Sequence, residues 1–363
     1  MSVALDDDNK GASARSEANG SVDPTQACLG IDRNALRDLV ADLYRPKQVI
    51  YWVDFLLSAA VGYAAFALLP VRDPWSPMGA LFYCVAVLAL YRAVIFTHEL
   101  SHKPLNRFRA FRFAWDMLCG VPILLPSYFY DEHKSHHAQR TYGTPRDGEY
   151  LSYPRLPVGY TVLLFAISPL VLPALVFRFL VLTPLMAIIP GLRALVLAHA
   201  SSLVIDSAHR RALPKPPLPR RWIVQELACF VWCVAVALGL FRGLIPVARL
   251  VEAEWVVSGI FAINALRTLL AHKYAGDRQG VGFHEQVLDS NDFPGPLGVS
   301  WAPVGLRFHA LHHLLPNMPY HALATAHRRV MAAIPADSPY HGCQQRSLLS
   351  GIGAAIELRR RFP

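Results

Sequence analysis

Charge is scarce in this chain: 17% of its 363 residues are Asp, Glu, Lys or Arg, against 53% hydrophobic. A soluble domain carries about a quarter of its residues as charges. Here the polar residues are bunched between long apolar runs, which argues against a soluble multidomain protein and for a membrane chain. Cysteine contributes little chemistry. The six cysteines (28, 84, 119, 229, 233 and 343) form no paired framework and no C-x-x-C, so a thiolate metal site is not expected. Cys229 and Cys233 stand one helical turn apart in an apolar run, where such side chains simply pack. The net charge of +9 comes without a stripe of bases interleaved with aromatics, so nucleic acid is not an expected partner. The bases flank apolar segments instead, as Arg45, Lys47, Arg107, Arg109, Arg112, Arg210, Arg211, Lys215, Arg220 and Arg221 do. The N-terminal residues read as a polar, disordered tail and not as a signal peptide.

A spanning helix needs about 20 apolar residues, and residues 50–70, 78–97, 223–246 and 252–271 supply four such stretches. Turns around Arg72-Asp73-Pro74, and around Arg242 and Arg249, join them into two helical hairpins. The expected fold is all-α and integral to the membrane: two hairpins, about four spans, under a cytoplasmic helical cap. The positive-inside rule puts the N-terminus, residues 103–155 and residues 207–222 in the cytoplasm. Residues 113–128, with Asp116, Pro122 and Pro126, should lie along the interface. Parity requires residues 156–200, interrupted by five prolines and Arg178, to cross zero or two times; a kinked re-entrant or in-plane pair is expected. The boundaries read as a tail over 1–44, a membrane domain over 45–335 and a C-terminal tail over 336–363.

Histidine is the residue in surplus. Eight of the 15 fall into three clusters beside the apolar stretches: His98-Glu-Leu-Ser-His102, His133-Lys-Ser-His136-His137 and His309-Ala-Leu-His312-His313. Imidazole is the commonest metal ligand near neutral pH. H-E-x-x-H alone also matches a zinc protease, with two ligands and a glutamate base. A single zinc takes three or four protein ligands, however, and eight or nine histidines suit two metals sharing a site. In H-x-x-H-H, positions i and i+3 share a helical face and i+4 extends it, so each cluster can serve both metals. Glu99, Asp131, Glu132, Asp289 and Asp292 are candidates to support the ligands from behind. A metal carrier is the non-enzymatic alternative, but a carrier needs polar residues along a path, whereas these histidines concentrate at one face.

The order H-x3-H, H-x2-H-H, H-x2-H-H resembles the integral-membrane fatty acid desaturase/hydroxylase superfamily. The segment Trp301-Ala-Pro-Val-Gly-Leu-Arg-Phe-His-Ala-Leu-His-His-Leu-Leu-Pro, with Met318-Pro-Tyr-His321 and Ala326-His327-Arg328-Arg329, is similar to a bacterial desaturase-like branch. The resemblance covers residues 45–335. It implies two non-heme irons that activate O2, held by His98, His102, His133, His136, His137, His309, His312 and His313. It also implies a ninth ligand at the end of the last span, where His272 stands in Arg267-Thr-Leu-Leu-Ala-His272. In animal acyl-CoA enzymes of this family an asparagine stands one turn before that histidine; here the spot is Thr268, and Asn264 is two turns away.

The implied activity is O2-dependent introduction of a double bond into the acyl chain of a lipid or acyl thioester. A hydroxylase or oxygenase acting on a lipid or terpenoid is the alternative on the same scaffold. No flavin or dinucleotide fingerprint and no heme-binding H-P-G-G is present, so electrons should come from a separate ferredoxin- or cytochrome-like donor. The basic face could attract such a donor if it is acidic. Trp301 and Tyr320 are candidates to line an acyl channel, or to anchor at the interface.

Overall fold

The structure, a computed structural model, describes residues 23–70, 73 and 76–362. Among these residues the fold is all-α. No strand forms, and isolated β-bridges (His272 to Ser290, Asp292 to Phe308 and to Gln344) tie loop segments together. Five helices are long and apolar enough to cross a membrane: Gln48–Ala67, Pro77–Ser101, Ser168–Ile188, Arg220–Phe241 and Val247–Ala271. Val53, Leu57, Leu81, Val231 and Phe241 are exposed on their flanks, as lipid-facing residues are. This is a multi-pass membrane protein.

The helices over 48–67 and 77–101 form the first hairpin, whose connecting turn lies partly outside the described residues. Gly62 lets the pair touch, because a Cβ there would sit 2.6 Å from Leu90 Cγ. Gly259 does the same between 77–101 and 247–271, where a Cβ would meet the Tyr83 hydroxyl at 2.6 Å. At the turn ends of the two hairpins Arg249 donates to the carbonyls of Phe66 (3.2 Å) and Leu69 (3.1 Å) and pairs with Glu252 at 2.8 Å. The opposite ends of both hairpins therefore share one side, and that side carries the histidines.

Residues 156–200 form a short helix (Val158–Ala166), the long Ser168–Ile188 helix with a π-helical stretch over Phe177–Leu182, and a returning helix, Leu192–His199. Arg178, buried in the π-helical stretch, pairs with Glu226 at 2.5 Å, near the histidine end of the 220–241 helix. Its Nε donates to the Ala200 carbonyl at 3.0 Å. The chain thus leaves one level and comes back to it, by a turn at Gly191 (φ 80°). Sequence reading counted four spans; the fifth long helix belongs to this out-and-back segment. Residues 109–130 form no long helix. Asp116 holds that stretch, accepting from the Ser127 amide (2.9 Å) and from Gln225 Nε2 (2.6 Å).

The tail expected over 1–44 divides. Residues 1–22 lie outside the described residues, whereas Pro24–Leu29 and Arg33–Val40 are helices. Both start on aspartate caps: Asp23 accepts from the Thr25 amide and Asp32 from the Ala35 amide. Cys28, Leu29, Leu36 and Val40 pack into a core with Leu311, Leu314 and Val330. Too few apolar residues mark these helices in sequence, but the larger ones turn to one common core. At the other end, the expected tail over 336–363 contains buried Tyr340 and Cys343 and the Leu348–Arg360 helix.

Candidate metal centre

Helix ends and very short helices position the histidines. The 77–101 helix carries His98 in its last turn and His102 as its C-cap. His133–His137 and His309–Leu314 are helices of 5 and 6 residues. His272 caps the 247–271 helix. Asp292 organises the third cluster by accepting from the amides of Ala310 (2.9 Å) and Leu311 (3.3 Å), where a helix start favours a carboxylate.

All nine histidines converge, and they divide into two groups. His98, His102, His133, His137 and His312 form one; His136, His272, His309 and His313 form the other. Within each group the candidate ligand atoms lie within 4.8 Å of one another. All but His137 are buried. The division follows helix geometry. At about 100° per residue, i+4 returns to within about 40° of i, while i+3 falls about 60° to the other side. His133 pairs with His137 and His309 with His313, whereas His136 and His312 turn to opposite groups. From sequence, i and i+3 share a face that i+4 extends, each cluster being able to serve two metals; in the structure i and i+4 share a group and i+3 joins the other.

The spacing suits metal ions. In the first group Nε2 of His137 lies 3.0 Å from that of His133 and 3.2 Å from that of His312, which is 3.1 Å from His102 Nε2. In the second, His272 Nε2 lies 3.1 Å from His136 and 2.9 Å from His309, and His313 lies 3.2 Å from His309. Two imidazoles bound at right angles to one ion, each about 2.1 Å away, stand about 3.0 Å apart. His98 Nε2 is buried with no hydrogen-bond partner among the described residues, an orphan that a metal would satisfy.

Groups behind the rings aim them. Glu149 receives His133 Nδ1 at 2.9 and 3.0 Å, and Asp147 receives His136 Nδ1 at 3.0 and 2.9 Å. A carboxylate there holds the proton on Nδ1 and leaves the Nε2 lone pair facing inward. The Tyr142 hydroxyl accepts from His272 Nδ1 (2.9 Å) and donates to Asp289 (2.8 Å), relaying a carboxylate to that ring. Burial, joined by repulsion between neighbouring imidazoles, holds His102, His133, His137, His309 and His313 well below the usual histidine range. Burial also pushes His312 down to about 3. These rings are neutral at pH 7, the form that binds metal. At His136 burial pulls the same way, but attraction to Asp147 overrides it and raises the value. Burial pushes Glu149 up to about 7 and Asp289 to about 6.

Of the five carboxylates expected behind the ligands, only Asp289 reaches a histidine of the nine, and only through Tyr142. Asp292 acts on the helix start and, with Gln344, on His327. Glu99 binds Tyr51 and Lys103, Asp131 binds Arg221 and Trp222, and Glu132 binds Ser202 and His209. The two direct carboxylates, in Arg146-Asp147-Gly148-Glu149, escaped sequence reading because their loop has no helical register with the second cluster. His321 accepts from the Lys47 amide at 3.0 Å, and His341 reaches the Pro335 carbonyl at 3.0 Å; neither joins the nine.

A cavity of about 500 Å³ opens beside the first group, within the size range of small-molecule sites. Val94, Ile95, Leu170, Val171, Ala174 and Phe261 are among its apolar lining residues, and His98, Glu149, Tyr91, Asn264, Arg267 and Thr268 among its polar ones. Trp301 and Tyr320 are not in its wall. Tyr320 instead donates to Asp54 at 2.8 Å, and Trp301 packs against Phe293.

Membrane-length helices, a histidine cluster fit for two ions at one end and an apolar cavity alongside define a membrane metalloenzyme scaffold of the histidine-box class. The chain belongs to the fatty acid desaturase family, whose model matches residues 73–344. It is 36% identical, over 91% of its own length and 94% of the relative's, to a ceramide hydroxylase of Caulobacter vibrioides (strain NA1000 / CB15N). No solved structure matches it. The family makes the chain an oxidoreductase of the desaturase/hydroxylase class.

Proposed function

We propose that the nine histidines hold two irons, and that with O2 and two external electrons the protein oxidises an unactivated C–H bond of a lipid chain lying in the cavity. The observation that carries this reading is the pair of imidazole groups, five and four strong, one of which exposes His98 to an apolar cavity. The irons would supply O2 activation and hydrogen abstraction. The protein's part is to aim nine lone pairs inward, keep water from the chain and hold one methylene beside the first group. Two groups of this size exceed what one zinc of a protease takes, and their confinement to one end offers no path for a carrier.

Two products share the first abstraction. Oxygen insertion gives an alcohol and one water; removal of a second hydrogen gives an alkene and two waters. Each consumes one O2, two electrons and two protons. The family's name supports the alkene expected from sequence. The extended similarity to a ceramide hydroxylase supports the alcohol, on an amide-linked lipid; neither support outweighs the other, and the product decides between them. A separate ferredoxin- or cytochrome-like protein would deliver the electrons, and the histidine end would face the cytoplasm. The test is lipid profiling by mass spectrometry of cells with and without the full chain. A lipid gaining one oxygen supports hydroxylation, one losing two hydrogens supports desaturation, and an unchanged profile with iron-loaded protein and an active donor overturns both.

A further inference from the structure

The cavity wall contains a cation that the metal centre does not use. Arg267 lies in the 247–271 helix, inside an apolar span, with only 8% of its surface exposed. Charges in such positions are costly and mark functional sites. The other arginine in this wall, Arg178, has its counter-ion in Glu226 at 2.5 Å. Arg267 makes no ion pair among the described residues: it donates to Asn264 Oδ1 at 3.2 Å and to Thr268 Oγ1 at 2.8 Å, and Glu149 of the same wall attracts it only from beyond ion-pair distance. Across from it on the 77–101 helix stands Tyr91, fully buried, whose hydroxyl oxygen sits beside the Arg267 guanidinium and whose own proton finds no acceptor among the described residues. Both residues line the cavity together with His98. A guanidinium without an ion pair, beside a phenol whose proton has no acceptor and lining the same cavity, is built to receive an oxygen atom.

Resting on the lipid-oxidation reading, we propose that Arg267 and Tyr91, with Asn264 behind them, bind an acyl carbonyl or carboxylate oxygen of the substrate inside the cavity. Arg267 donates, Tyr91 donates in parallel, and the aliphatic chain runs on along Val171 and Ala174. Because the same wall carries His98, this places a carbon only a few bonds from the acyl oxygen beside the first histidine group. The enzyme then oxidises near the lipid's polar end and not in mid-chain. Arg267 and Tyr91 are specificity-determining residues in this account; neither holds metal.

The test uses full-length protein in detergent and two readouts. First, binding of three water-dispersible probes of equal chain length is measured by competition and by thermal shift: an N-acyl amide, a fatty carboxylate and a plain alkane. Arg267→Met and Tyr91→Phe should each weaken an acyl-oxygen probe by tenfold or more while leaving the alkane unchanged. Arg267→Lys should recover part of the loss. Whether the amide or the carboxylate suffers more identifies an amide lipid or a free acid as the source. Equal losses for the alkane, or no loss for either oxygen-bearing probe, overturn the proposal. Tyr91→Phe removes one oxygen atom only, so it keeps the test available should Arg267→Met not fold. Second, tandem mass spectrometry locates the oxidised carbon in the product. A position within a few bonds of the acyl oxygen is expected, and mid-chain oxidation by the wild-type protein refutes it. A wild-type protein that oxidises no lipid yet shows the Arg267-dependent probe preference would sink the reaction while leaving the binding site standing.

Discussion

Asp147 offers the sharpest perturbation of the metal centre, because it touches one group and not the other. Its carboxylate meets His136 Nδ1 at 2.9 and 3.0 Å, with the two side chains 1% and 3% exposed. It also accepts from the amides of Gly143 (3.2 Å) and Glu149 (3.0 Å), so it shapes the loop as well as aiming the ring. Asp147→Asn keeps the shape and an acceptor oxygen but removes the charge. Loss of such an outer partner typically costs tenfold to a hundredfold in metal affinity, about 1.4–2.8 kcal/mol. Full burial puts this site at the upper end, since solvent cannot screen the missing charge. The loss should fall on the group of His136, His272, His309 and His313. Glu149→Gln should weaken the other group through His133, and by less, because the Glu149 side chain is 19% exposed. Chelator competition on iron-loaded protein reads both affinities. The reasoning is refuted if both variants release the two irons in parallel, or if Asp147→Asn changes neither affinity.

Glu226→Ala should strand Arg178 among buried neutral partners and destabilise the fold by roughly 3–5 kcal/mol; thermal unfolding in detergent measures it, and a Arg178→Met/Glu226→Leu double variant should recover much of the loss. Gly62→Ala should force the first hairpin apart against Leu90, costing about 1–3 kcal/mol and lowering the same unfolding midpoint. Ala174→Trp should block the cavity: product formation should fall at least tenfold while iron content stays at the wild-type level. His272→Ala should remove iron from the second group and leave the first, read by iron stoichiometry.

The nine histidines that the fold brings together were legible in the sequence and the groups behind them were not, for one physical reason. Histidines within a short helix keep a fixed angular relation, so H-x-x-H-H announces itself. The partner that orients a ring can come from any loop that folds back, as Asp147 and Glu149 do, and spacing along the chain says nothing of it. Hydropathy likewise marked the two hairpins. It could not order residues 156–200, where Arg178 looks prohibitive for a long apolar helix until Glu226, 48 residues on, supplies its counter-ion. The N-terminal helices were missed because their few apolar residues matter only against the surface formed by the third histidine cluster. In sequence Arg267 is merely part of the segment leading to His272; that it makes no ion pair among the described residues is a property of the folded cavity wall.

The central claim is two irons held by two histidine groups. It is tested most directly by iron content of purified full-length protein, measured alongside His313→Ala, His102→Ala and a His136→Ala/His312→Ala double variant. The account predicts about two irons per chain in the wild type, loss of one in each single variant from different groups, and near-complete loss when both groups are hit together. One zinc with no iron, or iron indifferent to the double variant, would contradict it.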